Sequence, residues 1–122
     1  MSQLDRISLT GLRAFGRHGV LPHERENGQE FVVDACLYLN TRGAAAADDL
    51  ALTVDYGALA ERIAGVVSGE PVNLIETLAE RLIAVCLADE KVSEAEVTVH
   101  KPSAPVPVPF DDVTVTLRRS RR

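Results

Sequence analysis

The apolar residues change period twice along this 122-residue chain, and that restricts the folds open to it. Over residues 4–16, and again over about 30–40, apolar positions alternate with polar ones, as in half-buried strands. Over about 56–68 and 74–89 they recur at three- and four-residue spacing, as on one face of a helix. Alternation then returns over 95–99 and about 112–118. The predicted order is β-β-α-α-β-β. Helices placed between two strand pairs predict an α+β fold: a four-stranded antiparallel sheet with two helices on one face.

Within the first strand Ile7 and Leu9 alternate with Arg6, Ser8 and Thr10, but Leu12 and Ala14 then carry the apolar positions. A bulge at Thr10-Gly11 accounts for the slip. Residues 20–29 read as a polar loop with an Asn27-Gly28 turn signal. The second strand places Phe31, Val33, Ala35, Leu37 and Leu39 on one face. Residues 41–55 read as transitional, with one helical turn at residues 48–51. Asp55 is the expected cap of the first full helix, whose stripe is Leu59, Ile63, Val66 and Val67. In the third strand Lys101 continues the inward parity of Ala95, Val97 and Val99, a position unsuited to a solvated lysine. Four prolines in residues 102–109 then make a stiff loop that cannot pair as a central strand. The last strand turns Val113, Val115 and Leu117 inward. The opposite parity carries Val32, Cys36 and Tyr38, and in the first strand Leu12 and Ala14. The second sheet face is therefore expected to be partly apolar and buried against copies of the chain.

The segment 73–81 opens the second helix. Asn73 suits an N-cap, and Glu76 stands where a capping-box partner belongs. Ile75, Leu78, Ala79, Leu82, Ile83 and Cys86 form the buried stripe. Two readings of Glu76 are open. It caps its own helix, or its ionised carboxylate, held at the positive helix end, accepts paired N–H groups from a ligand such as a guanine or a pterin.

Length predicts one domain over residues 1–122. A net charge of −5 and a pI near 5.1 exclude general nucleic-acid binding. The basic run at residues 118–122 reads as a solvated terminal fringe. Cys36 and Cys86 are expected to be buried, reduced thiols, with one disulfide between them as the alternative. With no apolar N-terminal signal and no stretch long enough for a membrane span, a cytoplasmic protein is expected.

Several motifs together resemble the dihydroneopterin aldolase family. They are Gly11-Leu12-Arg13-Ala14-Phe15-Gly16-Arg17-His18-Gly19-Val20, Glu24, Gly28-Gln29, Val54-Asp55-Tyr56, Asn73-Leu74-Ile75-Glu76-Thr77-Leu78-Ala79-Glu80 and His100-Lys101-Pro102-Ser103-Ala104-Pro105. Their order and spacing match over essentially the whole chain. The resemblance implies the tunnelling fold, with sheets of several subunits joined into a barrel, commonly in octamers with pterin sites at subunit interfaces. It implies a folate-pathway lyase that cleaves 7,8-dihydroneopterin without metal or other cofactor. By the same resemblance Glu24, Tyr56 and Lys101 are catalytic, and Glu24, Tyr56, Ile75 and Glu76 bind substrate, with Tyr56 coming from a neighbouring subunit. Val108-Pro109-Phe110 departs from the glycine common in the family after Pro107.

Three alternatives stand beside this reading. One is a zinc site on His18, His23 and His100, although the His-x-His pair of related synthases is absent. The second is an epimerase, acting on dihydroneopterin or its triphosphate. For the triphosphate, Arg13, Arg17 and Arg25 are available but not spaced as a cradle. The third is a non-catalytic pterin- or purine-binding assembly protein, which would not need Lys101 and Tyr56 together.

Overall fold

The computed structural model describes residues 3–121. Four strands, β1 (Asp5–Gly16), β2 (Gln29–Leu39), β3 (Glu94–His100) and β4 (Thr114–Ser120), form one sheet in the order β1-β2-β3-β4, every pair antiparallel. Two longer helices, α3 (Tyr56–Val67) and α4 (Ile75–Leu87), lie between β2 and β3 in sequence. Two short ones, α1 (Pro22–Asn27) and α2 (Arg42–Ala47), flank β2. Both longer helices bury their stripes against one sheet face. Leu59, Ile63 and Val67 of α3 and Leu78, Leu82 and Cys86 of α4 join Phe31, Val33, Leu37, Val97 and Val99 in one core cluster. The Asp55 carboxylate accepts the Ala58 N–H at 3.1 Å and starts α3 as expected.

The bulge lies where the phase slip placed it. Leu9 pairs with Ala35 and Leu12 with Val33, leaving Thr10 and Gly11 opposite Asp34 alone. Gly11 has φ +73°, a conformation that side chains resist. Its N–H donates to Asp34 Oδ1 at 2.8 Å, which fills the gap in the ladder. The extra residue has a consequence that alternation alone misreads. Leu12 and Ala14 sit opposite Val33 and Phe31 and so face the core, not the second sheet face. That second face carries Arg6, Ser8, Asp34, Cys36, Tyr38, Glu96 and Thr98 around a shallow cleft of about 240 Å³, and it is more polar than expected.

Other differences have local causes. Residues 20–29 are not simply a loop. Pro22 opens α1, because a proline at the first helical position loses no hydrogen bond. The small-residue run becomes α2, closed by Asp48 at φ 54°, and the turn expected next is a 3₁₀ turn at Leu50–Leu52. Asn73 does not cap α4. The N-cap is Leu74, with no side-chain cap bond, and Asn73 Oδ1 instead accepts from Arg25 Nη2 at 2.6 Å. The basic run is engaged rather than loose. Arg118 pairs with Glu94 and stacks on Tyr38, and Arg119 meets Glu80 at 2.9 Å. Arg121 donates to the carbonyls of Leu87, Asp89 and Val92, closing the C-terminus of α4. Arg122 lies outside the described residues. Both cysteines are free. Cys86 is buried, which pushes its thiol up to about 11, whereas Cys36 is only half-buried. No helix among the described residues is long and apolar enough to cross a membrane.

Leu82 is fully buried where α4 meets the sheet. Leu82→Ala is expected to cost about 2–5 kcal/mol of stability, read as a lower urea midpoint with an unchanged m-value.

Candidate active site

Lys101 follows the last residue of β3 and keeps the inward parity, so its ammonium is delivered to the edge of the core. A buried cation needs a partner. Glu24, on α1, supplies it: Lys101 Nζ lies 2.7 Å from Glu24 Oε2, and the residues are 9% and 4% exposed. The other carboxylate oxygen accepts the Leu21 N–H at 3.2 Å. Burial alone would push the Glu24 carboxyl up. The Lys101 ammonium and the Leu21 N–H outweigh that and hold it below the usual range, so Glu24 is a carboxylate at neutral pH.

Gly19 makes this pair possible. Its φ is +151°, and a Cβ there would overlap the Glu24 carboxylate. Arg25, next to Glu24, donates from Nε to the Gly19 carbonyl at 3.1 Å and from Nη2 to Asn73. His18 ties the same loop to the α3–α4 link. Its Nε2–H donates to the Val67 carbonyl at 2.7 Å, and its Nδ1 accepts the Val72 N–H at 3.1 Å. One donor and one acceptor make this a neutral imidazole. Burial holds its pKa below the ordinary histidine value. These ties place the start of α4 beside the Glu24–Lys101 pair.

Between them lies a cavity of about 390 Å³, lined by Val20, Leu21, Glu24, residues 73–76, Lys101, Ala104, Pro105, Val106 and Val113. At one side Ile75 and Glu76 occupy the first turn of α4, where backbone N–H groups lack intrahelical partners and the helix dipole is positive. Glu76 is exposed and lines the cavity, so its capping-box reading is not sustained. The rim is apolar and open, with Val20 66% and Leu74 50% exposed. The arrangement offers a ligand a carboxylate at one side, a buried ammonium–carboxylate pair at the other, and apolar walls between.

The fold therefore brings Glu24, Ile75, Glu76 and Lys101 together within one chain. Tyr56 is not with them. It opens α3 at 60% exposure and does not line this cavity. Gly19, Leu21 and the roles of His18 and Arg25 were missed from sequence, because each acts through a backbone group that spacing does not reveal. The three histidines are not gathered. His18 is committed to Val67 and Val72, His100 to Asp34 and Asp112, and His23 is exposed. The three arginines are likewise engaged: Arg13 with Glu30, Arg17 with the carbonyls of Arg25 and Glu26, and Arg25 as above.

Two outcomes follow. Gly19→Ala is expected to displace the Glu24 carboxylate and lower turnover at least tenfold, on the order of what a misplaced group costs; steady-state kinetics measures it. His18 has a depressed pKa in the folded chain, so its neutral form favours folding above the ordinary value of about 6.5. That stability is lost as pH falls below this value toward the folded-state pKa. His18→Gln keeps a donor and an acceptor but does not titrate, so its urea midpoint should fall less steeply over that range.

Known proteins resemble this chain in sequence and in fold. The family model described as FolB, dihydroneopterin aldolase, matches residues 7–118. A dihydroneopterin aldolase of Streptomyces coelicolor is 64% identical over 118 residues, covering 97% of this chain and 99% of that protein. One from Bacillus subtilis is 35% identical over 97% of this chain and 99% of its own. The crystal structure of E. coli dihydroneopterin aldolase in complex with neopterin superimposes with a TM-score of 0.86 at 27% identity, covering 95% of this chain and 99% of that one. The chain belongs to the dihydroneopterin aldolase family.

Proposed function

We propose that Glu24, Tyr56, Ile75, Glu76 and Lys101 act together on 7,8-dihydroneopterin in sites shared between subunits. The activity itself follows from the family: the chain is a dihydroneopterin aldolase, a carbon–carbon lyase of folate biosynthesis. The observation that carries the assignment of roles is the buried Lys101–Glu24 pair facing the same cavity as the start of α4.

Glu76 accepts two parallel N–H bonds from the amino-amide edge of the pterin, aided by the backbone at Ile75. The trihydroxypropyl side chain then extends toward Glu24 and Lys101. The proton of the 2′-hydroxyl leaves through water toward Glu24, and C2′ becomes the carbonyl carbon of glycolaldehyde. The C1′–C2′ bond breaks, and its electron pair passes through C1′ into the C6=N5 bond of the ring. The ring is its own electron sink, so this step requires no Schiff base. The Lys101 ammonium stabilises charge gathering at N5 and delivers a proton there. The product is an enol. Protonation at C1′, with return of the N5 proton, gives 6-hydroxymethyl-7,8-dihydropterin. Tyr56 of a neighbouring subunit assists that last protonation.

Unpaired sheet edges and exposed apolar residues support this reading. Among the described residues the outer edges of β1 and β4 are unpaired, and the rim of the cavity is apolar and open. Leu50, Leu52 and Tyr56 are a second group of exposed apolar residues. Joining sheet edges around a ring, to a homo-octamer, would cover the first and bring the second to it. The E. coli relative was crystallised with neopterin, which supports a pterin as the ligand here.

Three measurements test the roles. Product analysis by mass spectrometry should find glycolaldehyde and hydroxymethyl-dihydropterin; epimerised dihydroneopterin without glycolaldehyde would identify an epimerase instead. Lys101→Ala should bind pterin yet lose at least 10²-fold in turnover, on the order of a general acid–base contribution, whereas Glu76→Ala should lose binding; calorimetry separates the two. Mixing Tyr56→Phe and Lys101→Ala subunits during refolding should recover activity that neither variant has alone. No recovery would remove Tyr56 from the shared site.

A further inference from the structure

The sheet face turned away from the helices carries a cluster that the reaction does not use. His100 ends β3, and its ring sits between carboxylates from two different segments. Nε2 is 2.7 Å from Asp34 Oδ2 on β2, and Nδ1 is 2.7 Å from Asp112 Oδ2, just before β4. Asp34 is fixed in turn by the Gly11 N–H of the β1 bulge. A neutral imidazole has one N–H and cannot donate to both carboxylates. The imidazolium, with an N–H on each side, satisfies both contacts at 2.7 Å.

We propose that the His100 imidazolium is a positioning residue for Lys101, holding the far end of the proline loop against the sheet. Asp112 is followed by Val113, whose carbonyl accepts the Lys101 N–H at 2.8 Å and whose side chain lines the active-site cavity. His100 and Lys101 are adjacent in the chain and point to opposite sheet faces. A tie on one face thus fixes the backbone from which Lys101 reaches Glu24 on the other. Residues 102–111, between the two ends, also supply Ala104, Pro105 and Val106 to the cavity. Loss of the proton leaves a ring lone pair facing one carboxylate at hydrogen-bond distance. That repulsion releases the loop end.

The two carboxylates, Asp112 first and then Asp34, raise His100 above the ordinary histidine value, and they are the charged groups acting on it. The sign follows from that direction. The tie is fully present below about pH 6.5. It is lost as pH rises through the titration of His100 in the folded chain.

The inference rests on the aldolase reading, and its test separates the two. Asp112→Ala breaks the tie. Asp112→Asn preserves it without charge, because the amide N–H can donate to Nδ1 while Nε2–H donates to Asp34. Kinetics from pH 6 to 10 on the intact protein, with titration of the His100 ring signals by NMR in substrate-free protein, reads both. Asp112→Ala should lower kcat about tenfold, within the 10²-fold that a misplacement of about 1 Å can cost, and raise KM by less, because Ile75 and Glu76 lie on α4 and only the wall from Ala104, Pro105 and Val106 is loosened. Asp112→Asn should keep wild-type kcat at neutral pH and lose the part of the alkaline limb that coincides with the His100 titration. Wild-type kcat in Asp112→Ala, or an alkaline limb unmoved in Asp112→Asn, would overturn the inference. Equal loss in both variants would also overturn it. A wild-type chain with no aldolase turnover would refute the functional reading instead, while the NMR titration would still report the tie.

Discussion

Two opposite charges taken out of water must face each other, and the ion pair between Lys101 and Glu24 explains much of the chain around it. Removing one partner of a buried pair costs about 3–5 kcal/mol, because the other is left uncompensated. The pair joins the end of β3 to α1, segments 77 residues apart in sequence. It accounts for Gly19, which leaves room for the carboxylate, and for the turn at Leu21, whose N–H takes the second oxygen. It also accounts for a lysine at an inward strand position. A pair held this way is fixed in direction, which suits the proposed transfer of a proton to a ring nitrogen.

The site divides between two supports. In the proposed reaction, recognition rests on the first turn of α4, and the proton chemistry rests on the end of β3 and on α1. What keeps the two in register is a set of side-chain ties: His18 to the backbone of Val67 and Val72, and Arg25 to the Gly19 carbonyl and the Asn73 side chain. None of these residues is proposed to touch substrate. His18 and His100 respond to pH in opposite directions. Burial keeps His18 neutral, so acid weakens its tie, while flanking carboxylates keep His100 charged, so base weakens the other. The scaffold is most firmly held between the two titrations, near neutral pH.

The single chain leaves its site half-walled. Its apolar rim is exposed, and the proposed tyrosine is on another part of the surface. In the assembly proposed here, closure of the barrel and completion of the site are one event, and water exclusion comes from a neighbouring copy rather than from a moving lid.

Much of the architecture was legible in the residues. Alternation in β1 and β2 located the core face, and the slip after Leu9 located the bulge. The stripe of α4 was read residue for residue, and the parity of Lys101 marked it as inward. These are local properties, because period and the nearest hydrogen-bonding side chain decide them. What the residues alone could not decide were contests between local and distant partners. Asn73 has the chemistry of an N-cap, yet Arg25, 48 positions away, claims its oxygen. Residues 118–121 read as a charged fringe, yet α4 and β3 supply carbonyls and carboxylates that engage them. Leu12 and Ala14 read as facing outward until the extra residue of the bulge turned them back to the core. The sequence by itself determined the strands, the helices and the inward lysine. Only the tertiary structure decided which groups meet across the chain, because a hydrogen bond or ion pair depends on distance in space, and spacing along the chain does not contain it.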